Sequence, residues 1–454
     1  ALLADYFRGQ LGNTEILQRL FLTANKTGIY ADAEIYGQGL MDLDAATSPV
    51  GQSMVITATK NLFPAFLTSV TSFGAAAGDG WINLLDKEFA VFDELGAPFF
   101  RQLDSTHFDP RFSLEWLTYR YTNPLLRTLE VKHNESEETS LILGLKLMNY
   151  GEHNYAPSLW AKDEQKMRYF SLQKKMSEKM YYFIGSGISP FMHFGTKTIN
   201  EVFGKPELSS PYLGFGENGN FVGGFLSLPK NNKLSASFFV GNHRDKELFN
   251  TDENNKGLVV EYQRSLSDLI ISFQTGILTE NSGLLGSSFK GGYGNLNDSL
   301  TYFSGIETLL SLQEVKANLT FFVGQTEADL NSKGIITGIE NLTSSSFSFS
   351  LLTESLVNKG DAFGFRISQP LRLEEGAVHM SIPVGRTKNK DFLFQEYSSD
   401  LSPSGRQVDF EFIYKAPVKF GYISSKLGFT RDEGHFKREK TDSFFETSFE
   451  IVLH

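Results

Sequence analysis

The sequence predicts a mainly β fold: an antiparallel up-and-down β-barrel of about 12 to 14 strands behind a short N-terminal helical segment. Three observations predict it. From about residue 112 onward, apolar and polar residues alternate with a period of two. Very short turns alternate with long polar loops. Helical spacing is scarce after residue 100. The 454 residues suffice for two or three domains, or for one large barrel with appendages. The pattern divides at 1–50, 51–110 and 111–454.

Residues 1–28 read as two helices. Leu2, Leu3, Tyr6 and Phe7 give the apolar spacing of the first, which Gly9 and Gly12 end. Asn13 or Thr14 is the expected N-cap of the second, with Glu15 in its first turn. Ile16, Leu17, Leu20 and Phe21 form its expected buried stripe, and Gly28 closes it. Two helices of this size cannot bury their own apolar faces, so they call for a larger body. The chain opens at Ala1-Leu2-Leu3-Ala4 inside an apolar helical pattern, with no signal peptide ahead of it, so an upstream continuation is expected.

Tyr36-Gly37-Gln38-Gly39-Leu40-Met41-Asp42-Leu43-Asp44-Ala45-Ala46 follows. Two glycines permit a tight turn, and Asp42 or Asp44 can cap a short helix carrying Ala45 and Ala46. Val55–Ala58 reads as a short strand that ends near Pro64. Ala75–Lys87 reads as a helix despite Gly78 and Gly80, each of which costs about 1 kcal/mol in a helix interior. It is the candidate for a helix threading the barrel lumen.

The β pattern is explicit in several places. Leu234, Ala236, Phe238 and Val240 oppose Ser235 and Ser237. Leu269, Ile271 and Phe273 oppose Ser272, Gln274 and Gly276. Val315, Ala317, Leu319, Phe321 and Val323 oppose Lys316, Asn318 and Thr320. Val408, Phe410, Phe412 and Tyr414 oppose Gln407, Asp409 and Glu411. Phe445, Thr447, Phe449, Ile451 and Leu453 oppose Glu446, Ser448 and Glu450. One face is wet and the other nearly all apolar. Either two sheets cover one another, or the apolar face meets lipid and the polar face lines a lumen. The turns Pro229–Lys233, Arg264–Asp268, Leu310–Glu314 and Lys415–Val418 are short; the loops near 242–256, 279–298, 386–405 and 431–441 are long. Keeping that rhythm requires a further strand at Ile335–Glu340, with Asn341–Ser344 as its turn.

The first 50 residues resemble the C-terminal end of a subtilisin-like serine protease (subtilase) domain. ALLADYF resembles the continuation of the helix that bears the nucleophilic serine. Thr14–Leu22 resembles the helix that follows it. YGQGLMDLDAA resembles the segment that closes the domain, with Met41 in place of a Leu. The stretch FGAAAGDG…EFAVFDELGAPFF, the segment 361–385 with its "SQPLR" turn, and SPSGRQVDFEF at 402–412 resemble the C-terminal domain of bacterial subtilase autotransporters. The resemblance implies a translocator and anchor in the bacterial outer membrane for a secreted serine endopeptidase. Its Asp, His and Ser would all lie upstream of Ala1. The implied partners are outer-membrane lipid, the barrel-insertion machinery and the chain's own protease domain. The chain departs from barrel custom at its end, which reads Phe449-Glu450-Ile451-Val452-Leu453-His454 with no terminal aromatic residue. Two other readings stand beside this one: a soluble β-rich accessory domain that aids the protease, and an unrelated outer-membrane channel.

Composition narrows the chemistry. The net charge of −11 and a pI near 5.4 argue against nucleic acid as a partner. The absence of cysteine excludes disulfides and thiolate metal sites. No run of 18 or more apolar residues marks a transmembrane helix. A mean hydropathy of −0.21 still admits a β-barrel, whose strands show only one apolar face each. His133, His153, His193 and His243 are scattered, without metal-ligand spacing. Gly214-Phe215-Gly216-Glu217-Asn218-Gly219 matches GxGxxG without the strand and helix that a phosphate site needs. Asp432/Glu433 and Glu374/Glu375 sit at turns as solvated charge rather than as glycosidase carboxylates. The sequons at Asn134, Asn297, Asn318 and Asn341 are expected by chance. No catalytic, metal or cofactor-binding residue is therefore expected in this chain, and no cofactor.

Overall fold

The computed structural model describes residues 1–64, 71–72, 75–81, 87–102, 128–136, 139–146, 166–196, 210–216, 219–242, 254–289, 291–331, 333–419, 421–438 and 440–451. Its main element is one antiparallel sheet of fifteen strands, each hydrogen-bonded to its neighbours in sequence. They are β1 (Thr128–Ser136), β2 (Thr139–Lys146), β3 (Lys166–Ser177), β4 (Met180–Ser186), β5 (Asn220–Leu228), β6 (Asn232–Asn242), β7 (Asn254–Ser265) and β8 (Leu269–Asn281). There follow β9 (Asn295–Leu312), β10 (Val315–Asn331), β11 (Leu342–Glu354), β12 (Ala362–Glu375), β13 (Val408–Val418), β14 (Gly421–Arg431) and β15 (Asp442–Ile451). This is an up-and-down meander. Among the described residues no pairing joins β1 to β15.

The rhythm of short and long connections holds without the added strand. Turns at 178–179, 229–231, 266–268, 313–314 and 355–361 lie at one end. The described residues of the connections between 187 and 219, 282 and 294, 333 and 341, 376 and 407, and 432 and 441 lie at the other, which we call the mouth. Ile336–Ile339 is indeed a strand, but it belongs to a separate three-stranded sheet with Ala377–Arg386 and Phe392–Asp400. Lys415–Val418, expected as a turn, completes β13. The "SQPLR" segment is not a turn either. Ser345 faces Arg372 while Phe347 faces Gln369, so β12 carries one extra residue there. This bulge accommodates Pro370, which has no N–H for the ladder. Pairing with β13 stops at Ser368, and β12 runs on into the mouth.

The described residues between 1 and 102 form a body at the mouth. α1 (Leu2–Tyr6), α2 (Asn13–Thr23) and α4 (Leu43–Thr47) pack on a four-stranded sheet of Leu62–Pro64, Met54–Ile56, Glu88–Phe92 and Pro98–Gln102, while α3 (Ala33–Tyr36) lies exposed with its Tyr36 ring on Tyr30 of the turn Gly28–Ala31. Asp42 caps α4 by accepting from Ala45 N at 2.9 Å, as the sequence suggests. The cap of α2 is Gly12 rather than Asn13 or Thr14, and Glu15 reaches back to the Gly12 N–H at 2.9 Å. The buried stripe also differs. Leu3 and Phe7 are buried and Ile16 and Leu20 half-buried, but Leu17 and Phe21 are 51% and 46% exposed. The residue α2 buries is Arg19. Its guanidinium donates to Asp93 at 2.6 Å and to the Ala46 and Ser48 carbonyls at 2.5 Å, and it lies over the Phe7 ring. Asp93 also accepts from Val50 N and Ala97 N. A buried ion pair holds when its remaining polar atoms are bonded in this way.

Ala75–Lys87 is not a continuous helix. Ala75–Ala77 make a single 3-10 turn, 82–86 lie outside the described residues, and a strand begins at Glu88. Gly78 and Gly80 explain the break. A Cβ on Gly80 would stand 1.9 Å from the Leu401 carbonyl oxygen, and Gly78 has φ +48° against Gly434 and Pro403. Both glycines serve close approach to the mouth loops.

Candidate functional site

The polarity of the large sheet is reversed relative to a water-soluble one. Leu234, Phe238, Phe273, Leu319 and Phe321 are 40–50% exposed. The alternate residues Ser235, Ser272, Gln274, Asn318 and Thr320 are buried at 0–1%. The same holds on β11, where Ser344, Ser346, Ser348 and Ser350 all point inward. A sheet with an apolar outer surface and a polar concave surface has the pattern of a membrane β-domain.

The concave side is filled. The β4–β5 connection folds inward through two 3-10 turns, Pro190–His193 and Pro211–Gly216. Its side chains reach wall strands from β3 to β11. His193 stacks on Phe183 with ring centroids 4.0 Å apart and meets Ser171 Oγ at 2.9 Å. Ser210 donates to Gln274 at 2.7 Å. Tyr212 stacks on Phe303 at 4.7 Å, and its hydroxyl meets Ser344 Oγ at 2.8 Å.

Wall carboxylates hold the backbone of this plug. Glu261 accepts from Gly195 N at 2.6 Å and from Gln274 Nε2 at 2.8 Å. Glu307 accepts from Thr196 N at 2.9 Å, Thr196 Oγ1 at 2.5 Å and Asn318 Nδ2 at 2.9 Å. Glu280 does the same for the β8–β9 connection, accepting from Leu285 N at 2.7 Å and Gly286 N at 2.9 Å. Backbone amides buried against the wall need such acceptors.

Aromatic rings complete the filling, and each inward ring is paired with a glycine on the neighbouring strand. Phe183 faces Gly223, Phe221 faces Gly185, Phe239 faces Gly257, Phe303 faces Gly276 and Phe322 faces Gly305. A Cβ on any of these glycines would stand 2.2–2.5 Å from a ring carbon. The ring lies flat over the space the missing side chain leaves, which shields the glycine backbone. Period-two reasoning does not find these inward aromatics. The doublets Phe238-Phe239 and Phe321-Phe322 are the signal for two of them: one Phe turns outward and the other covers a glycine.

At the mouth the loops form an ionic cluster. Arg406 and Arg372 both meet Glu374, at 2.6 and 2.5 Å. Arg438 pairs with Glu433 at 3.0 Å. His435 accepts from Gln407 N at Nδ1 (3.0 Å) and donates from Nε2 to the Leu371 carbonyl (3.0 Å), which fixes the neutral tautomer. Burial pushes its pKa down to about 4. Burial also raises the Glu433 carboxyl. On the N-terminal side, burial works against a charge on Glu15, but Arg386 and the Gly12 N–H outweigh it and hold the carboxyl below its ordinary value.

The residues singled out in the sequence fall as follows. His193 packs inside the plug; the His133 side chain, His153 and His243 lie outside the described residues. Gly216 and Gly219 of the GxGxxG match press against the wall, where their Cβ atoms would meet Phe239 and the Val240 carbonyl. Glu374, Asp432 and Glu433 are tied into the loop cluster, with Asp432 accepting from Arg438 N at 3.0 Å. Asn318 of one sequon is buried on Glu307. Among the described residues no group of His, Asp and Glu is placed to hold a metal ion, and no helix is long and apolar enough to cross a membrane. The described arrangement is a walled, plugged sheet with a folded body held at its mouth.

No protein-family model matches the chain, and no curated protein matches it. Among solved structures it is similar to OmpT, an outer membrane protein of Vibrio cholerae. The in-vitro folded trimer form superposes with a TM-score of 0.40 at 7% identity, over 70% of this chain and 87% of that one. OmpT expressed in the outer membrane gives 0.37 at 9% identity, over 70% and 90%. Its loop L8 deletion mutant gives 0.37 at 8% identity, over 66% and 83%. These are likenesses of strand arrangement.

Proposed function

We propose that residues 111–454 are a β-domain of the bacterial outer membrane that exports and anchors the body of a subtilisin-like serine endopeptidase, of which residues 1–50 are the closing segment. The reversed polarity of the sheet carries the membrane part. Outward Phe, Leu and Ile side chains suit lipid, and the inward serines and carboxylates bond the plug. Partners of this reading are outer-membrane lipid, the insertion machinery and the protease body. Catalysis, an acyl transfer by an activated serine, belongs to that body.

The surface of residues 1–43 supports the protease part. Leu17, Phe21, Ile29, Ile35, Leu40 and Met41 are 46–71% exposed. An apolar surface of this extent on a small body calls for a covering partner. It lies on the segment that resembles the end of a subtilase domain. The same reading requires a Gly-Thr-Ser-type motif in the coding sequence upstream of Ala1; a coding sequence lacking it would remove the protease assignment while leaving the barrel untouched.

Because the chain has no cysteine, single introduced cysteines report sidedness cleanly. In intact cells a membrane-impermeant maleimide should label Lys388→Cys, exposed in the mouth connection 376–407. It should label Lys230→Cys, in a short turn, only after the outer membrane is opened. Equal labelling of both sites in intact cells would contradict the proposed orientation.

A further inference from the structure

We propose that the mouth segment 377–407 is a docking site for the N-terminal body, and that it holds this body in place without the covalent connection between them. The inference rests on the reading above, in which residues 1–50 close a surface module. It bears on whether such a module leaves the barrel once the chain is cut.

The interface has the composition of a built contact. Arg386, at the end of the strand Ala377–Arg386, is 3% exposed, and its guanidinium meets Glu15 of α2 at 2.5 Å. Its backbone N–H donates to Gln10 Oε1 at 2.8 Å. Gly385, at φ +144°, leaves room for that Gln10 amide: a Cβ there would stand 2.6 Å from it. Lys390 approaches Glu15 at 3.7 Å. Beside the charges, Phe92 meets Phe392 edge-on at 4.9 Å. With the body removed, Arg386 would lose its carboxylate partner and the two small sheets their shared apolar face. Breaking one side of a buried pair is costly, so undocking is opposed from both sides.

A second set of contacts lies across the mouth. Thr71–Ser72 pairs with Ser288–Phe289 of the β8–β9 connection. Trp81 packs on Phe289 with centroids 5.8 Å apart. Ser404 N donates to Asp79 at 2.6 Å. The body is thus gripped at two separate places by strand connections of the barrel.

The experiment uses the full chain, with an N-terminal affinity tag and a specific protease recognition sequence inserted between Pro110 and Arg111. The protein is folded in detergent, cut, and pulled down by the tag. The barrel fragment should stay with the tagged fragment. Reversal of one charge, by Glu15→Arg or by Arg386→Glu, should raise the released fraction about tenfold or more. The double variant Glu15→Arg/Arg386→Glu should recover retention. Glu15→Arg lies on the body, so it tests the pair even where a barrel variant folds poorly. Release of the cut protein that keeps its native Glu15 and Arg386, while its barrel remains heat-modifiable on a gel, would overturn the docking inference alone. A double variant retained no better than either single one would overturn the role of the pair. A protein that shows no heat-modifiable barrel before cutting would instead overturn the membrane reading beneath it.

Discussion

Tyr212 of the inward-folded connection stacks on Phe303 of β9 with ring planes 12° from parallel. Phe303 in turn covers Gly276 of β8. Plug, wall aromatic and wall glycine thus form one layered contact. Tyr212→Ala should cost about 3–5 kcal/mol, the range for deleting a large buried ring. Tyr212→Phe removes only the bond to Ser344 and should cost about 1 kcal/mol. Urea titration of the heat-modifiable band in detergent checks both values. Single-channel recording should show larger conductance for Tyr212→Ala than for Tyr212→Phe.

The glycine and aromatic pairs make a sharper prediction about packing. A Cβ on Gly305 would stand 2.2 Å from the Phe322 ring. Gly305→Ala should therefore destabilise by about 1–3 kcal/mol through overpacking, although alanine is ordinarily tolerated in a strand. In combination with Phe322→Leu the penalty should shrink, giving a coupling energy that a double-mutant cycle reads directly. Additive costs would show that ring and glycine do not act as a pair.

The latch carboxylates predict a third effect. Glu307→Ala leaves the buried Thr196 amide without its acceptor, while Asn318 keeps its bonds to Thr196 Oγ1 and the Thr308 carbonyl. The expected loss is about 2–4 kcal/mol. Glu307→Gln, which keeps one carbonyl oxygen, should lose less. Hydrogen exchange at the Thr196 amide should speed up most in the alanine variant.

His435 predicts a pH dependence. Its folded pKa, pushed down to about 4 by burial, lies below the ordinary 6.5. Arg372 and Arg406 add to the depression, while the Leu371 carbonyl and Glu374 oppose it. Between the two values the unfolded chain takes up a proton that the folded loop refuses. Stability from this group is complete above about pH 6.5 and falls as pH drops toward 4, by up to about 3 kcal/mol. Denaturant midpoints across that window should slope for the native protein, and the slope should flatten in His435→Gln.

Much of the fold was legible in the sequence because the outward face obeys period two without exception over long runs. Leu234 to Phe238 and Leu319 to Val323 are examples. The alternation of short turns with long connections was legible for the same reason: turns such as 266–268 are too short to do anything but reverse a strand. The inward face was less readable. Phe239 and Phe322 break the alternation, and their reason is a glycine on another strand, which no local window contains. The strand count is fifteen against the expected 12 to 14, and Ile336–Ile339 lies in a separate sheet because its partner is the strand Ala377–Arg386 of the mouth rather than a wall strand. Nothing in the local sequence marks Arg19 for burial. Only the distant Asp93 and the Ala46 and Ser48 carbonyls make its burial possible.

The membrane reading is tested most directly at an outward position of the sheet. Phe321 is 47% exposed and stands midway along β10. In a bilayer, Phe321→Arg should cost about 2–4 kcal/mol and should slow or prevent recovery of the heat-modifiable form in lipid vesicles. In water the same change would remove exposed apolar surface and leave folding intact. A Phe321→Arg protein that folds as a monodisperse monomer in detergent-free buffer would contradict the membrane reading. Folding only in detergent or lipid, with the expected penalty, is the predicted result.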